Sequence, residues 1–120
     1  MNSFFTDEEI KDIEVQGKVF KFKPTTTSEE LSWIDDYYEN VEELKDGVKV
    51  VVRKFNAGKE ALCKLRNIVE VPFSIDELKE ITKIDKLYKD YSNAEKDLLF
   101  GKLKPSIYVE LTNKIKDLDS

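Results

Sequence analysis

Carboxylates, one thiol and one glycine–lysine pair are the side chains with which this sequence could do chemistry. Its 25 acidic residues guarantee that carboxylates fall near one another, so a pair for general acid–base work could be assembled. Proximity along so acidic a chain singles out none of them. Cys63 lies between Leu62 and Lys64 in an apolar-periodic stretch, which reads as a small buried hydrophobe rather than a nucleophile. Asn56-Ala57-Gly58-Lys59-Glu60-Ala61 sets a glycine before a lysine, but it lacks the first glycine and the hydroxyl of a phosphate loop. A loop or helix start is the expectation there. The chain holds no histidine, which removes the commonest base, the commonest metal ligand and every Ser-His or Cys-His dyad. A single cysteine can build neither an internal disulfide nor a thiolate metal site, and it suits a reducing compartment. The sequence therefore predicts no enzyme, no catalytic residue, no metal and no cofactor.

What remains is surface. Residues 1–47 hold 13 acids and 5 bases, whereas residues 48–70 hold 2 acids and 6 bases. Asp35, Glu39 and Glu43 recur at i,i+4, where like charges cost an isolated helix roughly 0.2–0.5 kcal/mol per pair. They read as a solvated face or as a docking surface for a basic partner, including the 48–70 segment of a second copy. Trp33, Tyr37 and Leu44 form an apolar stripe beside that of Leu31, Ile34, Tyr38 and Val41, and so can fill a core or anchor a partner. Tyr108, Leu111 and Ile115, with Ile107 and Leu118, pose the same choice near the end of the chain. The basic segment has only Phe55 for base stacking, so no nucleic acid is expected.

These residues need elements to position them. Ile13 to Lys23 reads as a β-hairpin turning at Gln16-Gly17, with Val15 opposite Lys18, Ile13 opposite Phe20, and Ile13, Val15, Phe20 and Phe22 on one face. Phe4 to Ile10 has the Thr6/Glu9 spacing of a single capped helical turn. Thr27 with Glu30 then predicts a capped helix running to about Lys45 and stopping at Asp46-Gly47. Val48, Val50 and Val52 suggest a strand, but the spacing of Val51, Phe55, Leu62, Leu65 and Ile68 favours a helix from about Val51 to Val69, with a break near Asn56-Ala57-Gly58. Pro72 breaks the chain, and Ser74 with Glu77 caps a helix over about 75–82. Short helices should follow over about 84–91 and from Ser92 to Leu103, and Pro105 should open the last one.

The length fits one domain, 1–120. It divides into a turn and hairpin (1–24), a helical middle (25–70) and a short-helix part (71–120). The fold class expected is mainly α, with an N-terminal β-hairpin. No apolar run is long enough to span a membrane, and the N-terminus does not read as a secretory signal.

The order of elements resembles the tail assembly chaperones of long-tailed bacteriophages. The residues that carry the likeness are VQGKVFKFKP (Val15–Pro24), the VPFS break (Val71–Ser74), and LLFGKLKPSIYVELTNKI (Leu98–Ile115) with its KLKP break before a terminal amphipathic helix. The resemblance implies a protein of the host cytoplasm that binds the tape-measure protein, keeps its helices from aggregating and helps recruit tail-tube subunits. It also implies that a longer, frameshifted form can exist. Contacts of the helix-in-groove kind would serve such a client, and self-association would let many copies coat it. A virion structural subunit, a connector or baseplate component, shares the same features. An acidic DNA mimic and a carboxylate or Cys63 enzyme are the remaining readings.

Overall fold

A computed structural model describes residues 4–6 and 8–119. In chain order its elements are β1 (Lys11–Val15), β2 (Lys18–Phe22), α1 (Thr27–Trp33), β3 (Tyr38–Lys45), β4 (Val48–Phe55), α2 (Ala57–Lys64), β5 (Ile68–Glu70), α3 (Ile75–Thr82), α4 (Asn93–Gly101) and α5 (Pro105–Leu118). Short 3-10 turns cover Ile34–Tyr37, Leu65–Asn67 and Tyr88–Asp90. The expectation of a mainly α chain is overturned: this is an α+β mix with two antiparallel sheets.

The first sheet has the order β1-β2-β5 and is antiparallel throughout. Its hairpin turns on Gln16 and Gly17, whose φ angles of 49° and 82° suit the twist of the flanking strands. The register is the expected one, Val15 against Lys18 and Ile13 against Phe20. Period-2 alternation places Ile13, Val15, Phe20 and Phe22 in the core. Helices α3, α4 and α5 supply Leu78, Leu99, Phe100, Leu111 and Ile115 to the same cluster. Fully burying each such side chain contributes about 1.5–3 kcal/mol. Tyr88 packs there too, and its hydroxyl donates to the Ile68 carbonyl at 2.6 Å, so the phenol is buried without an orphaned oxygen. Lys114 on α5 donates its Nζ to the Glu14 carbonyl, which covers part of the outer edge of β1.

The local start signals hold well. Ser74 with Glu77 and Ser92 with Glu95 close capping boxes, and Pro105 opens α5. The first box lies one residue earlier than expected, on Thr26 and Glu29. Residues 84–91 form only the 3-10 turn at Tyr88–Asp90 rather than a helix. The turn expected at 4–10 shows no helix among its described residues, and Asp7 lies outside them.

The larger correction is in the middle. The helix expected over 27–45 ends at Trp33 and passes through a 3-10 turn into strand β3, and the helix expected from Val51 begins only at Ala57. Asp46-Gly47 is a hairpin turn, with φ of 53° and 78°, and not a helix stop. Two forces favour the strands. Four valines at 48, 50, 51 and 52 are β-branched and suit a pleated backbone. Glu39 and Glu43, which a helix would make neighbours, lie about 13 Å apart along a strand, and Glu43 pairs with Lys54.

Candidate functional site

The β3–β4 hairpin is an arm. Its strands pair over all eight positions, from Tyr38 against Phe55 to Lys45 against Val48. Eight residues extend about 27 Å. Beyond itself, the arm's extensive contacts are with the 3-10 turn at Ile34–Tyr37, at its base. The radius of gyration, 16.7 Å, exceeds the roughly 14 Å expected of a compact chain of this length, as a projecting arm requires.

Alternation gives the arm two faces. On one lie Val41, Val48, Val50 and Val52 with Glu39, Glu43 and Lys54 between them. On the other lie Tyr38, Asn40, Glu42 and Leu44, facing Phe55, Arg53, Val51 and Lys49. Leu44 is 72% exposed, Val51 68% and Val48 61%, while Val41, Val50 and Val52 are half-buried and Tyr38 at the base packs on the body. The arm is a sheet of its own, so among the described residues no further strand pairs with the outer edge of β3 or of β4. A two-residue turn makes Lys45–Val48 a hydrogen-bonded pair, so the alternate pairs turn their remaining N–H and C=O groups outward. Those outward groups belong to Asn40, Glu42 and Leu44 on one edge, where the Tyr38 N–H and C=O are already taken by the Asp35 carbonyl and by Lys59, and to Lys49, Val51, Arg53 and Phe55 on the other. Strand β3 carries three glutamates and one lysine, while β4 carries two lysines and one arginine with no acid.

A second small core fixes the base. Trp33, Tyr37 and Cys63 are buried together, with Tyr38 packed on them. Phe55 meets Tyr37 and Tyr38 edge-on, with centroids 6.5 and 5.8 Å away. Arg53 lies 4.7 Å over the Tyr38 ring and donates to Asp35 at 2.6 Å. Arg66 ties this base to the body. Its guanidinium donates twice to Asp97 of α4, at 3.1 and 2.7 Å, and once to Asp36 at 3.0 Å. It also lies 5.7 Å over the Trp33 ring. The hydrogen bonds to Asp97, outweighing partial burial, hold Arg66 charged well above the usual arginine range. Burial pushes the Tyr37 phenol up to about 12 and raises the Cys63 thiol, which keeps that sulfur protonated at neutral pH.

The residues named from the sequence separate into two groups. Glu39, Glu43 and Leu44 all lie on the arm but are not brought together, since the two glutamates share one face and the exposed Leu44 sits near the tip on the other, while Asp35 lies at the base, paired to Arg53. Trp33 and Tyr37 are buried beneath the arm, and Leu111 and Ile115 lie in the main core with Tyr108 half-buried against it. In this conformation those five are packing residues. The exposed apolar surface is offered by strands, not by a groove between helices. Sequence reasoning had Lys49 and Arg53 in a basic segment that a second copy could offer, but missed Val48 and Val51 as surface residues. The signal that could have found them is Asp-Gly followed by a valine run.

Elsewhere, a cleft of about 430 Å³ lies between α2 and α5, lined by Ala61, Lys64, Lys116 and Asp119 among others. Asp119 accepts from the Thr25 N–H at 3.0 Å and faces Lys64, so its charge is used structurally. Among the described residues no group of three or more Cys, Asp or Glu side chains converges as metal ligands do. No described helix is long and apolar enough to cross a membrane. Comparison with protein-family models, with curated proteins and with solved structures returns no match, which leaves the geometry of the arm as the guide to its role.

Proposed function

We propose that this chain is a non-catalytic assembly protein of the tail-assembly-chaperone kind, acting in the host cytoplasm on the tape-measure protein and on tail-tube subunits of a long-tailed phage. The observation that carries the binding part is the arm. A domain with a closed core extends 18 residues, 38–55, in which Leu44, Val48 and Val51 are exposed and Val41, Val50 and Val52 half-buried. Such a surface is stable in water only marginally, and a client segment laid on the valine face would bury it. The phage part rests on the order of elements. The hairpin, the VPFS break and the KLKP-opened terminal helix are all present, while strands stand in place of the helical middle.

Co-expression with the tape-measure protein encoded in the same genome tests the proposal. The soluble fraction of that client should rise severalfold with the intact chain and fall back when Val50 and Val52 are both changed to Ser. No gain with the intact chain refutes the reading. The arm's open edges also favour a second reading, a virion structural subunit, since edges can join copies in a lattice. Mass spectrometry of purified particles separates the two, because the chaperone is absent from them and the subunit is present.

A further inference from the structure

We infer that the arm joins copies of this chain edge to edge, with the β3 edge of one copy pairing antiparallel to the β4 edge of the next, so that arms line up in an open row. This goes beyond the client reading, which uses the valine face and not the edges.

Three observations carry it. Neither outer edge of the arm has a strand partner among the described residues; Lys59 reaches only the Tyr38 carbonyl at the base of β3, at 3.4 Å, below the stretch of Asn40, Glu42 and Leu44. The two edges differ in charge: the outward-turned positions include Glu42 on β3, and Lys49 and Arg53 on β4. The apolar residues at those positions are exposed, Leu44 at 72% and Val51 at 68%.

The charges decide which edges meet. Joining two β4 edges about a two-fold axis at Val51 sets Lys49 opposite Arg53 twice. Joining two β3 edges opposes strands that carry three glutamates each. Both are repulsive, and like charges directly opposite are destabilising. Joining β3 to β4 has a register that sets Glu42 opposite Arg53 of the next copy and Leu44 opposite Val51 of the next copy. That register also aligns outward N–H and C=O groups on both strands, because each of these positions is a non-hydrogen-bonded one within its own arm. The contact uses different surfaces on the two copies, so it does not close on itself and extends as a row. Edge charges, which commonly suppress stray pairing, here also select one pairing over the others. The row presents its valine faces side by side, a continuous strip for a long client.

Sedimentation velocity of the purified full chain, without client, tests this. The wild-type chain should grow stepwise with concentration past the dimer, and high salt should weaken the growth. Glu42→Lys alone, or Lys49→Glu with Arg53→Glu, should shift the association midpoint at least about tenfold. An equimolar mixture of those two variants should restore assembly, because the basic β3 edge of the first meets the acidic β4 edge of the second, and the acidic β3 edge of the second meets the basic β4 edge of the first. Val51→Pro removes only an outward N–H and should stop assembly while far-UV circular dichroism stays unchanged. A wild-type chain that stays monomeric, growth that stops at a dimer, a mixture that fails to assemble, or undiminished assembly of a folded Val51→Pro chain overturns the inference. Because no client is present, these outcomes are independent of the co-expression result.

Discussion

Replacing Arg66 by Ala should cost about 3 kcal/mol of folding stability. The side chain is 9% exposed, its main partner Asp97 26% and its second partner Asp36 56%. Breaking a buried ion pair costs about 3–5 kcal/mol, because the remaining charge is left without its partner. Asp97 keeps some water, so about 2 kcal/mol is assigned to it. The bond to Asp36 faces solvent and contributes at most about 0.5 kcal/mol. Loss of the guanidinium over Trp33 adds about 0.5–1 kcal/mol. For a domain of this size each kcal/mol moves the melting midpoint by roughly 4 °C, so the expected drop is about 12 °C. Urea unfolding followed by Trp33 fluorescence and by far-UV circular dichroism measures the loss. A double-mutant cycle with Asp97→Asn should give a coupling of about 1.5 kcal/mol or more, and one with Asp36→Asn below about 0.5 kcal/mol. A total cost under about 1 kcal/mol, or equal coupling to the two carboxylates, refutes the placement of Arg66 as the junction between arm and body.

Two further outcomes are expected. Gly17 and Gly47 both have positive φ, 82° and 78°, and at neither does any atom lie within 4 Å of the place a Cβ would occupy, so alanine at either adds about 1 kcal/mol of backbone cost alone. Gly17→Ala should lower the global urea midpoint, whereas Gly47→Ala should leave it nearly unchanged and speed amide exchange of 38–55 about fivefold; equal shifts of the midpoint would contradict an independently opening arm. Backbone hydrogen bonds from Ser74 and Ser92 are the leading reason that the Glu77 and Glu95 carboxyls titrate below their ordinary 4.5. Their stabilisation is present above that pH and is lost as pH falls through the lowered native values, so urea midpoints should decline there, less steeply in Glu77→Gln and Glu95→Gln chains.

The sequence was legible where a buried face imposes a period or where a cap imposes a residue type. Ile13, Val15, Phe20 and Phe22 alternate because one side of their hairpin meets the core, and that alternation gives the register directly. Ser74, Ser92 and Pro105 mark helix starts through backbone N–H groups that need an acceptor or that a proline lacks. The arm was illegible for the converse reason. Beyond Tyr38 and Phe55 at the base, neither of its faces meets a core, so nothing selects alternation along it, and Tyr38, Val41 and Leu44 fall three apart as on a helix. The same absence hid the site. Trp33 and Tyr37 drew notice as anchors by residue type and Lys49 and Arg53 by charge, while Val51 had a role, and the basic residues a place, only once an unpaired strand edge was known.

The Asn56 N–H donates to the Tyr37 carbonyl at 2.7 Å, so the chain leaves the body and re-enters it at a single point. Tyr38, Arg53 and Phe55 pack on or pair with the base, so the strand pair beyond them, Val41 to Val52, is a cassette. Its removal, with a short glycine bridge in its place, leaves Asn40 and Arg53 as cross-strand neighbours, and another strand pair of different sequence could be spliced in without altering the frame that carries it. A body built this way lets its reach and its specificity change by exchange of one segment while the packing beneath is inherited intact.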